Sequence, residues 1–148
     1  MENLNLSEMF ENLQEIRIFC RHQSKRLKRG TILSSQMLDI LSRIVLSDSP
    51  LTPLKLSEMT GLSKSSVSRL IENLEKNELI KKHYSSKDKR SYTLISTEKG
   101  NNELERAFRY YLEPVCELKK ILDEERYSTL ITIIKEVNYT MQNRKEKP

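Results

Sequence analysis

The chain has 148 residues, enough for one domain with a core of its own and too few to expect two independent globular units. Its 36% apolar and 32% charged residues recur in periodic segments, which argues against disorder, and three Gly, four Pro and no Trp fit long helices better than a turn-rich sandwich. The formal charge of +5 permits attraction to a polyanion without choosing which one, and no apolar run reaches the ~20 residues of a spanning helix.

From about residue 4 to 28, Leu6, Met9, Phe10, Leu13, Ile16, Cys20 and Leu27 return mostly at three- or four-residue intervals and predict a long first helix, with Gly30 as its stop. Its second half is basic, with Arg17, Arg21, Lys25, Arg26, Lys28 and Arg29 and no acid from Ile16 to Leu38. This run reads as a solvated face that can meet flanking phosphates. Ser34 or Ser35 caps a second helix through Met37, Leu38, Ile40, Leu41, Ile44 and Val45. Thr52 followed by Pro53 starts a short third helix that Gly61 breaks. Ser63 then caps a fourth, with Val67, Leu70, Ile71 and Leu74 facing inward.

After Ile80 the spacing changes to period two around Tyr92, Leu94 and Ser96, which predicts a β-hairpin with a charged tip. Thr97 caps a fifth helix through Leu104, Phe108, Tyr111 and Leu112, which Pro114 must kink or interrupt. A sixth carries Tyr127, Leu130, Ile131, Ile134, Val137 and Met141 before the charged NRKEKP. The fold class is therefore mainly α with a small β-hairpin.

A short helix, a glycine turn and a second helix rich in small polar and basic residues have the geometry that lays a recognition helix in the major groove. With the apolar stripe inward, the helical period leaves Lys64, Ser65, Ser68 and Arg69 on the opposite face of the fourth helix. Arg69 can donate two hydrogen bonds to guanine. Lys81, Lys82, Lys87, Lys89 and Arg90 against the single acid Asp88 concentrate positive charge on the hairpin that follows, as an arm for phosphates or a minor groove requires.

The stretch from Leu33 to Gly100, with SSQMLDIL, LKLSEMTGLSKSSVSRLIENLEKNELI and SKDKRSYTLISTEKG in that order, resembles the MarR family of winged-helix regulators. The resemblance implies a single domain over 1–148, with a winged helix-turn-helix at about 33–100 and dimerisation helices at about 4–29 and 100–143. It further implies a homodimer reading successive major grooves of a pseudo-palindromic double-stranded DNA site, with a recognition helix at about 63–77 and a minor-groove wing at about 81–97. Carried over residue by residue, Lys64, Ser65, Ser66 and Arg69 match the groove-facing positions, Arg90 the wing arginine, and Asp88 the acid that orients it. Where the family has a glycine after the recognition helix, Asn77 is expected to supply the left-handed cap. The link RLKRGTILSSQ is short, so an effector pocket is not assured, and any small-molecule effector is of unknown identity.

Cys20 reads first as a buried small residue; the alternative is an oxidant sensor whose thiolate Arg17 and Arg21 would favour. A winged-helix protein-interaction module without specific DNA binding is the other alternative. No nucleophile and base motif, phosphate loop or paired acidic motif is recognisable, so no catalytic residue, cofactor or metal site is expected. The acidic N-terminus MENLNLSEMF is unlike a secretory signal, and the expected compartment is the cytoplasm.

Overall fold

A computed structural model describes residues 5–23, 33–88 and 90–144, and places them in the order α1 (Leu6–Gln23), α2 (Ser35–Leu46), α3 (Pro53–Thr60), α4 (Lys64–Lys76), β1 (Ile80–Tyr84), β2 (Tyr92–Ser96), α5 (Glu98–Tyr111), α6 (Glu113–Ile121) and α7 (Glu124–Arg144). Four helices start where a hydroxyl can accept an orphan amide. Ser34, Thr52, Ser63 and Thr97 accept from the amides of Met37, Lys55, Ser66 and Gly100 respectively. Each such cap contributes about 1 kcal/mol.

The core forms where the inward stripes of α2, α4 and α5 meet the hairpin. Leu38, Ile40 and Leu41 from α2, Val67, Ile71 and Leu74 from α4, Leu104 and Ala107 from α5, and Ile80 and Leu94 from the strands are all buried together. No polar or charged residue is buried among the described residues. The strands pair antiparallel, from Ile80 opposite Ser96 to Tyr84 opposite Tyr92. A third segment adds to this sheet, because the Leu94 amide donates to the Leu51 carbonyl at 2.9 Å. The hairpin is thereby fastened to Leu51, two residues before α3.

Several boundaries differ from the sequence reading. Residues 24–32 lie outside the described residues, and with them Gly30, Leu27 and the bases Lys25, Arg26, Lys28 and Arg29. The left-handed position after α4 is Glu78 (φ 60), whereas Asn77 keeps φ −85. The Glu78 amide donates to Glu75 O and the Leu79 amide to Leu74 O, so the helix closes in a Schellman motif whose hydrophobic contact is Leu74 with Leu79. That bond pattern, rather than residue preference, fixes which position turns left-handed. Pro114 does interrupt the helical run, and it starts a separate helix, α6, that the periodicity did not set apart. In a first turn the missing proline N–H leaves no bond unmade.

The terminal helices are built differently from the core. Neither α1 nor α7 buries a single residue within the chain. Phe10 is 63% and Ile16 60% exposed on α1, and Tyr139 is 70% and Met141 61% exposed on α7. Cys20 is exposed with them, contrary to its expected burial, as is Cys116. No described helix is long and apolar enough to cross a membrane.

Candidate nucleic-acid interface

The turn between α3 and α4 is held by local bonds. Gly61 takes φ 69 and its amide donates to Ser57 O at 3.0 Å. The Ser57 hydroxyl donates to Leu62 O at 2.7 Å, and the Leu62 amide donates to Thr60 Oγ1 at 3.3 Å. These bonds set the angle at which α4 leaves the turn, and burial of Val67, Leu70, Ile71 and Leu74 fixes its rotation.

With that rotation Lys64, Ser65, Ser68 and Arg69 are exposed along one face of α4. Ser66 is half-buried and differs from them: its amide donates to Ser63 Oγ at 3.2 Å, and its hydroxyl lies 2.9 Å from the same oxygen. It serves the cap. No ion pair to Lys64 or Arg69 is found among the described residues, so both cations face solvent uncompensated. Two exposed serines and two long cations in the N-terminal half of the helix suit phosphate oxygens and base-edge acceptors alike.

The tip of the hairpin is organised by Asp88. One carboxylate oxygen accepts the Arg90 amide at 2.9 Å and the other accepts the Ser91 hydroxyl at 3.3 Å. The Ser85 amide donates to Ser91 O at 2.9 Å and closes the loop. Asp88 thus fixes Arg90 through its main chain. Lys87 and Arg90 are exposed at the tip, and Lys89 lies outside the described residues.

Of the other wing bases, Lys81 is exposed and Lys82 is turned inward. Its ammonium lies 2.7 Å from Glu75 and 5.3 Å from the centre of the Tyr92 ring. The hydrogen bond to Glu75 raises the Lys82 pKa above 10.5, against the opposing effect of burial. Sequence reasoning counted Lys82 among the free wing charges. Its partner sits seven positions earlier across a turn, where neither helical nor strand spacing signals a pair.

The junction between wing and α5 closes the site from behind. The Thr97 hydroxyl donates to Glu78 O at 2.7 Å and its amide to Leu79 O at 3.0 Å. A Cβ at Gly100 would stand 2.1 Å from Leu79 O, so only glycine permits this approach.

A family profile described as the MarR family matches residues 34–91, from the cap of α2 through the wing loop. That segment is similar to the winged helix-turn-helix of the MarR family. The MarR fold continues on both sides of it. AbsC, a MarR family transcriptional regulator from Streptomyces coelicolor, is similar with a TM-score of 0.77 at 19% identity, over 97% of each chain. Sco3205, a MarR family regulator from the same organism solved in complex with DNA, gives 0.79 at 19% identity, over 96% of this chain and 90% of that one. The MepR–DNA complex of S. aureus gives 0.71 at 17% identity, over 94% and 99%. At these identities the likeness is one of fold. No curated protein sequence matches the chain significantly.

Proposed function

We propose that this chain is a sequence-specific DNA-binding transcriptional regulator, and not an enzyme, that acts in the cytoplasm as a homodimer on a pseudo-palindromic operator. The observation that carries the reading is the presence of two exposed basic features, Lys64 and Arg69 on α4 and Lys87 and Arg90 at the wing tip. In this arrangement α4 enters the major groove, where Lys64, Ser65, Ser68 and Arg69 meet bases and phosphates, and Arg90 enters the adjacent minor groove. Ser66 supports them from the cap. Solved complexes of Sco3205 and MepR with DNA support the same use of the fold.

The dimer follows from the ends of the chain. Two helices that bury nothing, one carrying Phe10 and Ile16 and the other Tyr139 and Met141, expose apolar side chains that a partner can cover. A second copy covers both. Cys20, exposed on α1 in the single chain, then lies close to that interface. Sedimentation of the protein alone and with a duplex carrying two half-sites tests this reading. Two protomers in both cases are expected; a monomer, or one protomer per duplex, contradicts it.

A further inference from the structure

The contact of Lys82 with Glu75 does not end at the ion pair. The Lys82 ammonium also stands 5.3 Å from the centre of the Tyr92 ring. The Tyr92 ring in turn lies 5.5 Å from that of Tyr84, its register partner on β1, at an interplanar angle of 55°. Glu75, Lys82, Tyr92 and Tyr84 thus form one line of side chains that starts at the end of α4 and runs out along the wing. Strand alternation gives Ile80, Lys82 and Tyr84 the same face of β1, with Tyr84 about 7 Å beyond Lys82. Ile80 is in the core, Lys82 reaches α4, and Tyr84 is 54% exposed. Covering Tyr92 asks only for a ring, so the Tyr84 hydroxyl is left over. No hydrogen bond to it is found among the described residues.

With α4 in a major groove and Arg90 in the adjacent minor groove, one sugar–phosphate strand has to pass between them. The wing face that looks toward α4 meets that strand, and Tyr84 is the exposed residue on this face between Lys82 and the tip. We infer that the Tyr84 hydroxyl donates a hydrogen bond to a backbone phosphate of the strand that separates the two grooves. The inference rests on the DNA-binding reading above and deepens it by one named contact. In the free chain water serves the hydroxyl, and exchanging that water for a phosphate oxygen gains a charge-assisted bond. Tyr92, under Lys82, props the ring, and a side chain with few torsions loses little freedom on binding. A phosphate contact of this kind holds register and carries no base preference.

The test uses the full chain, Tyr84→Phe, which keeps the ring and removes the hydroxyl, and Tyr84→Ala. Binding to a selected operator duplex and to a random duplex of equal length is followed by fluorescence anisotropy from about 50 to about 200 mM salt. Tyr84→Phe should bind both duplexes about three- to tenfold more weakly, with the melting curve of the wild type. Its log–log salt slope should equal that of the wild type, because a neutral hydroxyl releases no counterion. Replacing each phosphate of one half-site in turn by methylphosphonate locates the bond: at one position the replacement should weaken wild type more than Tyr84→Phe. Tyr84→Phe that binds as wild type does overturns the contact, and a weaker Tyr84→Ala beside it leaves the ring a packing role alone. A loss confined to the operator, or methylphosphonates that weaken both proteins alike at every position, overturns its phosphate character. Wild type that binds neither duplex overturns the contact together with the DNA-binding reading.

Discussion

The Lys82 ammonium lies 2.7 Å from the Glu75 carboxylate and ties the first wing strand to the end of the recognition helix. The contact sits beneath the two tyrosines of the wing, whose rings, Tyr84 and Tyr92, are 5.5 Å apart. It adds one cross-link between the helix that carries Arg69 and the wing that carries Arg90. Glu75→Gln should leave the fold intact and cost about 1 kcal/mol or less, because Glu75 is partly exposed and solvent screens the pair. Its larger effect should be on the wing, seen as faster amide exchange at Lys82 and Thr93.

The same pair contributes to the alkaline limb of stability. Lys82 has a folded pKa raised above 10.5, first by the Glu75 hydrogen bond, and Tyr111 one raised above 10.0, first by burial and then by the charge of Asp39. A raised folded pKa gives stability that is complete below the unfolded value and is lost as pH rises through the folded one. Denaturant midpoints should therefore fall above about pH 10, and Glu75→Gln should flatten that fall. A midpoint independent of pH in this range contradicts both assignments.

Gly100 is the tightest point of the frame. Gly100→Ala places a methyl group against the Leu79 carbonyl and should destabilise by about 1–3 kcal/mol. Thermal melting reads this as a fall of several degrees. The loss should include weaker DNA binding, since Thr97 and Leu79 join the wing to the end of α4 through this contact.

Glu78 holds a left-handed conformation at a position where glycine is free of strain. Its ion pair with Lys99 is exposed and contributes little. Glu78→Gly should raise stability by about 0.5–1 kcal/mol, while Glu78→Val, with a branched Cβ at φ 60, should lower it by at least 1 kcal/mol. Equal melting temperatures for the two variants would contradict the strain.

Asp88 holds the wing tip with two bonds, so Asp88→Ala should release Arg90 without unfolding the domain. Amide exchange should quicken at Arg90 and Ser91, and DNA affinity should fall with little change in melting temperature.

Much of this arrangement was legible in the sequence because its signals are local. Ser34, Thr52, Ser63 and Thr97 announce their helices within three residues, and the stripe Val67, Leu70, Ile71, Leu74 fixes which side of α4 faces out. Pairs that cross the fold leave no such trace. The bond from Leu94 to Leu51, the Lys82–Glu75 contact and the pressure of Leu79 on Gly100 arise only once the hairpin packs on α4 and α5. Asn77 was the reasonable choice for a left-handed cap by residue preference, yet the Schellman bonds fall one residue later and place Glu78 there. Ser66 matched a groove-facing position through the family resemblance and not through helical spacing, and its amide and hydroxyl both bond to Ser63 at the cap. The exposed stripes of α1 and α7 were visible as periodicity, but only the packed chain shows that they cover nothing of their own.

Arg69 and Arg90 divide the labour of DNA recognition in the proposed function. Arg69→Ala should relax base preference at one position per half-site, at a cost of about 1–3 kcal/mol of discrimination, whereas Arg90→Ala should weaken binding more evenly across sequences.

Selection of bound duplexes from a random DNA pool, at one stated salt concentration and with wild type beside the Arg69→Ala/Arg90→Ala variant, tests that claim most directly. Wild type should enrich a pseudo-palindrome with its half-sites about one helical turn apart, and the variant should lose it. No enrichment by wild type, or the same motif retained by the variant, would contradict it.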